Sequence, residues 1–149
     1  MQSLFEPSAR HEILGRLDRL QTTSARQWGK MNAAQMMEHC ARALEVGTGD
    51  KPLPHTLIGK ILGPLVRKGM VGDKPFSRNS PTDPKLVVSD ERDFASQKTR
   101  LTNVIGRFCE LGPDSAGTKV HSFFGKLTGD EWGRLMYKHL DHHLKQFSS

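Results

Sequence analysis

The sequence predicts an all-α fold in a single domain spanning residues 1–149. Amphipathic segments recur at helical spacing, capping signatures precede two of them, and no stretch alternates with a strand period over a useful length. Four such segments and one shorter one must bury their apolar stripes on each other. That points to a four-helix bundle with an additional short helix and a long crossover loop passing over one end.

The first helix is expected to start at a Ser8 cap and to carry Ile13, Leu14, Leu17 and Leu20 as far as the Thr22-Thr23-Ser24 stretch. Asn32, followed three residues later by Gln35, has the form of a capping box, and the second helix should run through Val46 to an αL terminator at Gly47. Residues 48–56, with Gly49, Pro52 and Pro54, read as loop. Leu57, Ile58, Ile61, Leu62, Leu65 and Val66 then form an apolar stripe among Lys60, Arg67 and Lys68, with Pro64 interrupting or kinking the helix. Residues 71–88 are too long and too rich in proline for a tight connection, so they are expected to cross the surface at one end as a candidate lid. A third strong helix should begin at Ser89 or Asp90, carry Phe94, Leu101, Val104, Ile105 and Phe108 on one face, and stop at Gly112-Pro113. Thr128 and Glu131 make a second capping box, opening a last helix that runs toward Phe147.

Composition narrows the function classes. The net charge of +6 would suit a nucleic-acid partner if the cations clustered, but Lys and Arg are spread over every segment, so no nucleic-acid role is expected. Cys40 and Cys109 lack neighbours at metal-ligand or redox spacing, which fits a reducing compartment. No apolar run approaches the roughly 20 residues of a membrane span, and the first residues lack the apolar core of a secretory signal. The expected location is the cytoplasm. The Leu57 to Val66 stripe raises a membrane-surface reading, but Gly63-Pro64 should break the long helix such a binder uses, so the stripe is read as packing on the bundle.

Seven histidines occur, and the face each occupies matters more than the count. At about 100° per residue, Trp132, Met136, Leu140 and Phe147 share one stripe of the last helix, and His139 and His143 fall near its middle. Two inward imidazoles one turn apart reach a shared ion. Taken alone, the pair fits equally well a core histidine hydrogen-bonded to a neighbouring helix or a pair on a wet face. The same projection places His39 beside Met36, Ala43 and Val46 on the inward face of the second helix. That third imidazole tips the reading to a divalent metal site of His39, His139 and His143, a donor set suited to Zn, Ni or Fe with positions open to water or substrate. His142 reads as a rim residue and Cys40 as a small core residue. His121 either hydrogen-bonds a ligand histidine or caps a helix end, and His11 and His55 read as solvated.

The stretches from Trp28 to His39 and from His121 to Phe147, the latter beginning His-Ser-Phe-Phe-Gly and ending in His139-x-x-x-His143, resemble the DinB-like superfamily, the DinB/YfiT group of metalloenzymes. The chain is most similar there to a branch known as a domain of unknown function. The resemblance implies up-down-down-up topology and a Zn or Ni ion held by one histidine of the second helix and the pair of the last. It also implies either transfer involving a low-molecular-weight thiol or hydrolysis of a small molecule, and a homodimer as a candidate state. Ser122 stands where the His-Pro-Phe-Phe-Gly form has proline, and residues 51–88 match no motif.

Two functions are therefore expected to compete. In one, the three histidines hold an ion that activates a thiol or water. Glu38 and Asp141 project away from the stripe, and this lack of an inward carboxylate favours the thiol, which needs no separate base. In the other, the ion only braces a non-catalytic stress or interaction protein.

Overall fold

The computed structural model describes residues 2–149. Five helices and a small antiparallel hairpin follow one another: α1 (Pro7–Arg19), α2 (Ala33–Thr48), α3 (Leu57–Val71), α4 (Phe94–Ala116), β1 (Val120–His121), β2 (Gly125–Lys126) and α5 (Gly129–Lys145). A single 3-10 turn, Pro84–Leu86, lies between α3 and α4. The fold is all-α in class, with the hairpin as its only sheet among the described residues.

Both predicted capping boxes form: Asn32 with Gln35 opens α2, and Thr128 with Glu131 opens α5. Elsewhere the ends shift for local reasons. α1 starts one residue before Ser8, because Pro7, with its fixed φ and missing N–H, takes the first helical position and Glu6 stands at the cap without a side-chain bond. α2 continues past Gly47 to Thr48, and Gly49 is the αL terminator at φ 81°. Gly47 serves packing instead, since a Cβ there would lie 2.8 Å from the ring of Phe108. α4 begins at Phe94, not at Ser89 or Asp90, since the Asp93 carboxylate accepts from the Ser96 N–H and caps it. Its backbone breaks at Gly112 (φ 74°), where the sequence placed the stop, and one further turn follows from Pro113.

α2 packs most extensively on α4, and α5 touches α1, α2, α3 and α4. Between them lie Ile13, Leu17, Met36, Met37, Leu44, Leu101, Ile105, Phe108, Trp132 and Leu140, all buried. Removing such a side chain costs about 2–5 kcal/mol, so this interior holds α2 and α5 in fixed register. Leu4 is also fully buried, tied by its N–H to the Gly133 carbonyl at 3.0 Å, and Phe5 stacks on Phe108 with centroids 4.8 Å apart. A polar seam runs beside the core. Arg100 of α4 bridges Glu38 and Glu45 of α2, and Arg42 takes the other oxygen of Glu38. Asp141 is held by Arg16 and Lys145.

α3 departs from expectation. It stays helical across Pro64, and it does not bury its apolar stripe. Leu57, Ile61 and Leu65 are 72–77% exposed, while the face turned inward carries Gly59 and Gly63, which lie against the Phe123 backbone of the hairpin. A Cβ on Gly59 would sit 2.6 Å from the Phe123 carbonyl oxygen, so only glycine permits this approach. Among the described residues no helix is long and apolar enough to cross a membrane.

Candidate metal centre

His39 sits midway along α2, and His139 and His143 lie one turn apart on α5. Packing of the two helices brings the three rings to centroid separations of 4.7–5.0 Å. One nitrogen from each lies within 4.8 Å of the other two. The three residues singled out in the sequence thus meet at one point.

Hydrogen bonds fix which nitrogen faces that point. Nδ1 of His39 lies 2.9 Å from the Leu86 carbonyl oxygen, an acceptor only, so Nδ1 carries the hydrogen and donates it. The lone pair is left on Nε2. Gln146 donates through its amide nitrogen to the Trp28 carbonyl at 2.6 Å, which turns its Oε1 toward His143 Nδ1 at 3.0 Å. His143 therefore also donates from Nδ1 and presents Nε2 as a lone pair. These are the outer partners that ligating histidines use to fix tautomer and ring orientation.

His139 completes the set with its Nε2 3.0 Å from Nε2 of His39. That separation suits an N–H···N bond in one tautomer of His139 and a cation shared by two lone pairs in the other. Two imidazole nitrogens on one ion at about 2.0–2.1 Å would be about 2.8–3.4 Å apart for angles between octahedral and tetrahedral. The observed separation falls in that range. Nδ1 of His139 is buried with no hydrogen-bond partner among the described residues, so this ring lacks the outer partner that the other two have. The donor set fits a divalent ion: three borderline nitrogen donors, with no carboxylate or thiolate among them.

Electrostatics keep the rings in the ligand form. Burial lowers the pKa of His39 and drives that of His139 well below its ordinary value, with neighbouring imidazoles adding to the second effect. Burial, then repulsion from His39, pushes His143 down to about 3. All three are neutral at physiological pH, as a cation requires.

A cavity of about 240 Å³ opens onto this cluster. Its lining includes Trp28, Phe76, Asp83 and Leu86, with His121 and Phe124 from the hairpin segment. His142 stands on the rim between Trp28 and Phe76, with ring centroids 5.6 and 5.8 Å away. The rim position anticipated for His142 is thus observed. Cys40 is buried with its thiol against Met36, and burial raises its pKa, so it stands in the core as expected.

His121 and His55 differ from expectation. His121 neither bonds a ligand histidine nor caps a helix. Its Nδ1 accepts the N–H groups of Phe123 and Phe124 at 3.0 and 3.2 Å and closes the hairpin. The hydrogen must then sit on Nε2, and burial lowers the pKa to about 4, so His121 is a neutral donor on the cavity wall. His55 is half-buried against Gly125, not solvated, because α3 and the hairpin enclose it. His11 is exposed as expected.

Three contributors escaped the sequence. Gln146 stands three residues beyond His143, a spacing that a search for outer partners would find. Leu86 acts through its carbonyl, which no side-chain pattern reveals. Asp83 brings a carboxylate to the cavity from the connecting segment, in a stretch with no periodicity to place it. Glu38 and Asp141 point away from the cavity and are held by arginines, as the helical projection indicated.

Searches of curated proteins and of solved structures found no match to this chain. A family model described as "Protein of unknown function (DUF1569)" matches residues 5–149. That span takes in all five helices, the hairpin and every residue of the histidine cluster, and the chain belongs to this family.

Proposed function

We propose that the protein is a divalent-metal-dependent enzyme, acting on a small molecule by transfer or hydrolysis at His39, His139 and His143. One observation carries the reading: two of the three imidazoles have already given their Nδ1 hydrogens to fixed acceptors, so their Nε2 lone pairs converge where a third ring joins them. That orientation gives a cation two donors held in place before it arrives. Zn and Ni are the ions we favour, from the nitrogen donor set and from the resemblance to the DinB-like superfamily. The same relationship makes α1, α2, α4 and α5 an up-down-down-up four-helix bundle in a cytoplasmic protein, and their mutual packing supports it.

When bound, the ion supplies Lewis acidity, lowering the pKa of a water or thiol beside it and polarising the electrophile. The chain supplies the rest. Leu86 and Gln146 hold two ligands in orientation. His121, neutral with its hydrogen on Nε2, donates to an oxygen of the substrate, a role that needs no charged imidazole. Trp28 and Phe76 form apolar walls that exclude water from the reacting groups.

Asp83 gives hydrolysis a support that the ligand helices do not offer. It is the acidic residue of the cavity lining, and although one carboxylate oxygen accepts from the Lys85 N–H, the other is free to take a proton from water in this reading, whereas a thiol is its own nucleophile once deprotonated. The two reactions separate on Asp83→Asn, which should abolish hydrolysis and leave thiol transfer intact.

Metal analysis of the purified protein and of His39→Ala and His143→Ala tests the centre. The parent should carry about one ion per chain and each variant should lose it. Full stoichiometry in both variants would remove the assignment. Addition of a low-molecular-weight thiol to the cobalt-loaded protein then separates enzyme from brace: a thiolate charge-transfer band shows an open coordination position, and an unchanged spectrum identifies a closed structural ion.

A further inference from the structure

α3 turns its small residues in and its large ones out. Gly59 and Gly63 meet the hairpin backbone, while Leu57, Ile58, Ile61, Leu62, Leu65 and Val66 are all 43–77% exposed. These are six of the eight large hydrophobic residues found exposed, gathered on one helix of about 22 Å. A contiguous apolar face of this kind marks a surface that another body covers.

We propose that α3 docks the protein onto an anionic lipid surface, lying in the plane of the interface with this face inserted. Charge supports that occupant. Residues 51–72 contain Lys51, Lys60, Arg67 and Lys68 and no Asp or Glu, and although Lys51 pairs with Glu45 and Arg67 with Glu131, Lys60 and Lys68 remain for a partner, in a chain that carries +6 as a whole. Lys60 and Lys68 are exposed on the helix that carries the aliphatic face, where their stems run with the acyl boundary and their ammonium groups meet headgroup phosphates. A second copy would bring the same cations together across the contact. A folded protein partner is also a poorer match, because the face offers no Trp, Tyr or Phe anchor, and Arg67 is turned away into a bidentate pair with Glu131.

The support beneath the helix suits the same role. α3 is braced from below: Lys138 of α5 donates to the carbonyls of Gly69, Met70 and Gly72 at 2.9–3.2 Å, which gathers the last turn of the helix. The exposed face is therefore presented by a fixed helix and does not require a segment to fold on contact, so little ordering entropy opposes insertion.

The test is flotation of the full-length protein with vesicles of phosphatidylcholine alone and of phosphatidylcholine with phosphatidylglycerol, at low and high salt. The parent should float with the phosphatidylglycerol vesicles and release as salt rises. Ile61→Glu with Leu65→Glu, both on exposed positions, should abolish flotation with the helical circular dichroism and thermal midpoint unchanged. Lys60→Glu and Lys68→Glu should each weaken binding about fivefold or more. Absence of flotation in the parent overturns the proposal, and so does flotation that survives Ile61→Glu with Leu65→Glu. Light scattering of the parent that shows a dimer dissociated by Ile61→Glu with Leu65→Glu, without vesicle binding, assigns the face to a second copy instead.

Discussion

α5 and α3 break the usual distribution of residues in opposite senses. α5 turns His139 and His143 toward the interior, and α3 turns Leu57, Ile61 and Leu65 toward solvent. The exceptions are treated differently by the rest of the chain. Around the histidines, Leu86 and Gln146 supply acceptors that hold two rings in one tautomer, so the polar intrusion is organised toward a point. Around α3 the described residues leave the aliphatic face largely uncovered, and glycines on its other face carry the close approach to the hairpin. A buried polar cluster with its outer partners in place reports a small ligand, whereas an uncovered apolar face reports an extended one. The two helices nevertheless touch through Lys138, whose neighbour in sequence is His139.

Acid should break the histidine side of this comparison most strongly. In the metal-free protein His143 and His121 have pKa values lowered to about 3 and about 4 from the ordinary 6.5. The unfolded chain binds those protons first, so stability is fully present above about pH 6.5 and falls as pH drops toward the folded values. Each such group contributes a slope of about 1.4 kcal/mol per pH unit in that window, a sum of several kcal/mol for the pair. Urea midpoints of the metal-free protein between pH 7 and pH 4 check this, and a flat profile would show that these rings are accessible to protons in the folded state.

Gln146→Ala comes next. It removes the acceptor of His143 Nδ1 without touching a proposed ligand, and if the cluster binds an ion, loss of such an outer partner should weaken that binding by about 10- to 100-fold. Gln146→Glu keeps an acceptor oxygen at the same reach and should recover most of the affinity, although it loses the bond to Trp28. A competition titration with a chelator distinguishes the two. Equal losses in both variants would assign Gln146 to packing instead.

The site could be read from the sequence because its signals are local. The capping boxes at Asn32 and Thr128 mark where α2 and α5 begin and their apolar stripes mark the inward side, so His39, His139 and His143 follow from counting along each helix. What lay beyond reach depends on partners distant in sequence. The Leu86 carbonyl belongs to a stretch with no period, and Asp83 is placed by the path of that stretch across the cavity. Gly47 and Gly49 are equally good terminators on composition. The ring of Phe108 decided between them by closing the space around Gly47. On α3 periodicity correctly showed a stripe and gave no means of telling that the opposite, glycine-bearing side would be the one that packs.

Gly63→Ala tests that choice of side from within. Alanine is the better helix former by about 0.5–1 kcal/mol, so an unpacked position would gain stability. Here the new Cβ would meet the Phe123 carbonyl, which is backbone and cannot rotate away, so a net loss of about 1–3 kcal/mol is expected in thermal or urea unfolding. A gain would mean that α3 does not rest on the hairpin.

Leu65→Ser probes the other side and should do least. Leu65 is 77% exposed, so the folded and unfolded chains show water nearly the same leucine and little transfer free energy is lost. Serine is a slightly poorer helix former, and the expected change is within about 0.5 kcal/mol, the ordinary range for a surface site. The value of the experiment lies in its contrast with Gly63→Ala. Enlarging the smallest residue should cost more than truncating a large aliphatic one two positions away, which inverts the order found in a helix that buries its apolar stripe. If Leu65→Ser instead costs as much as a core truncation in the isolated protein, the aliphatic face is already covered in solution, and the side of α3 that reports a partner would have to be assigned again.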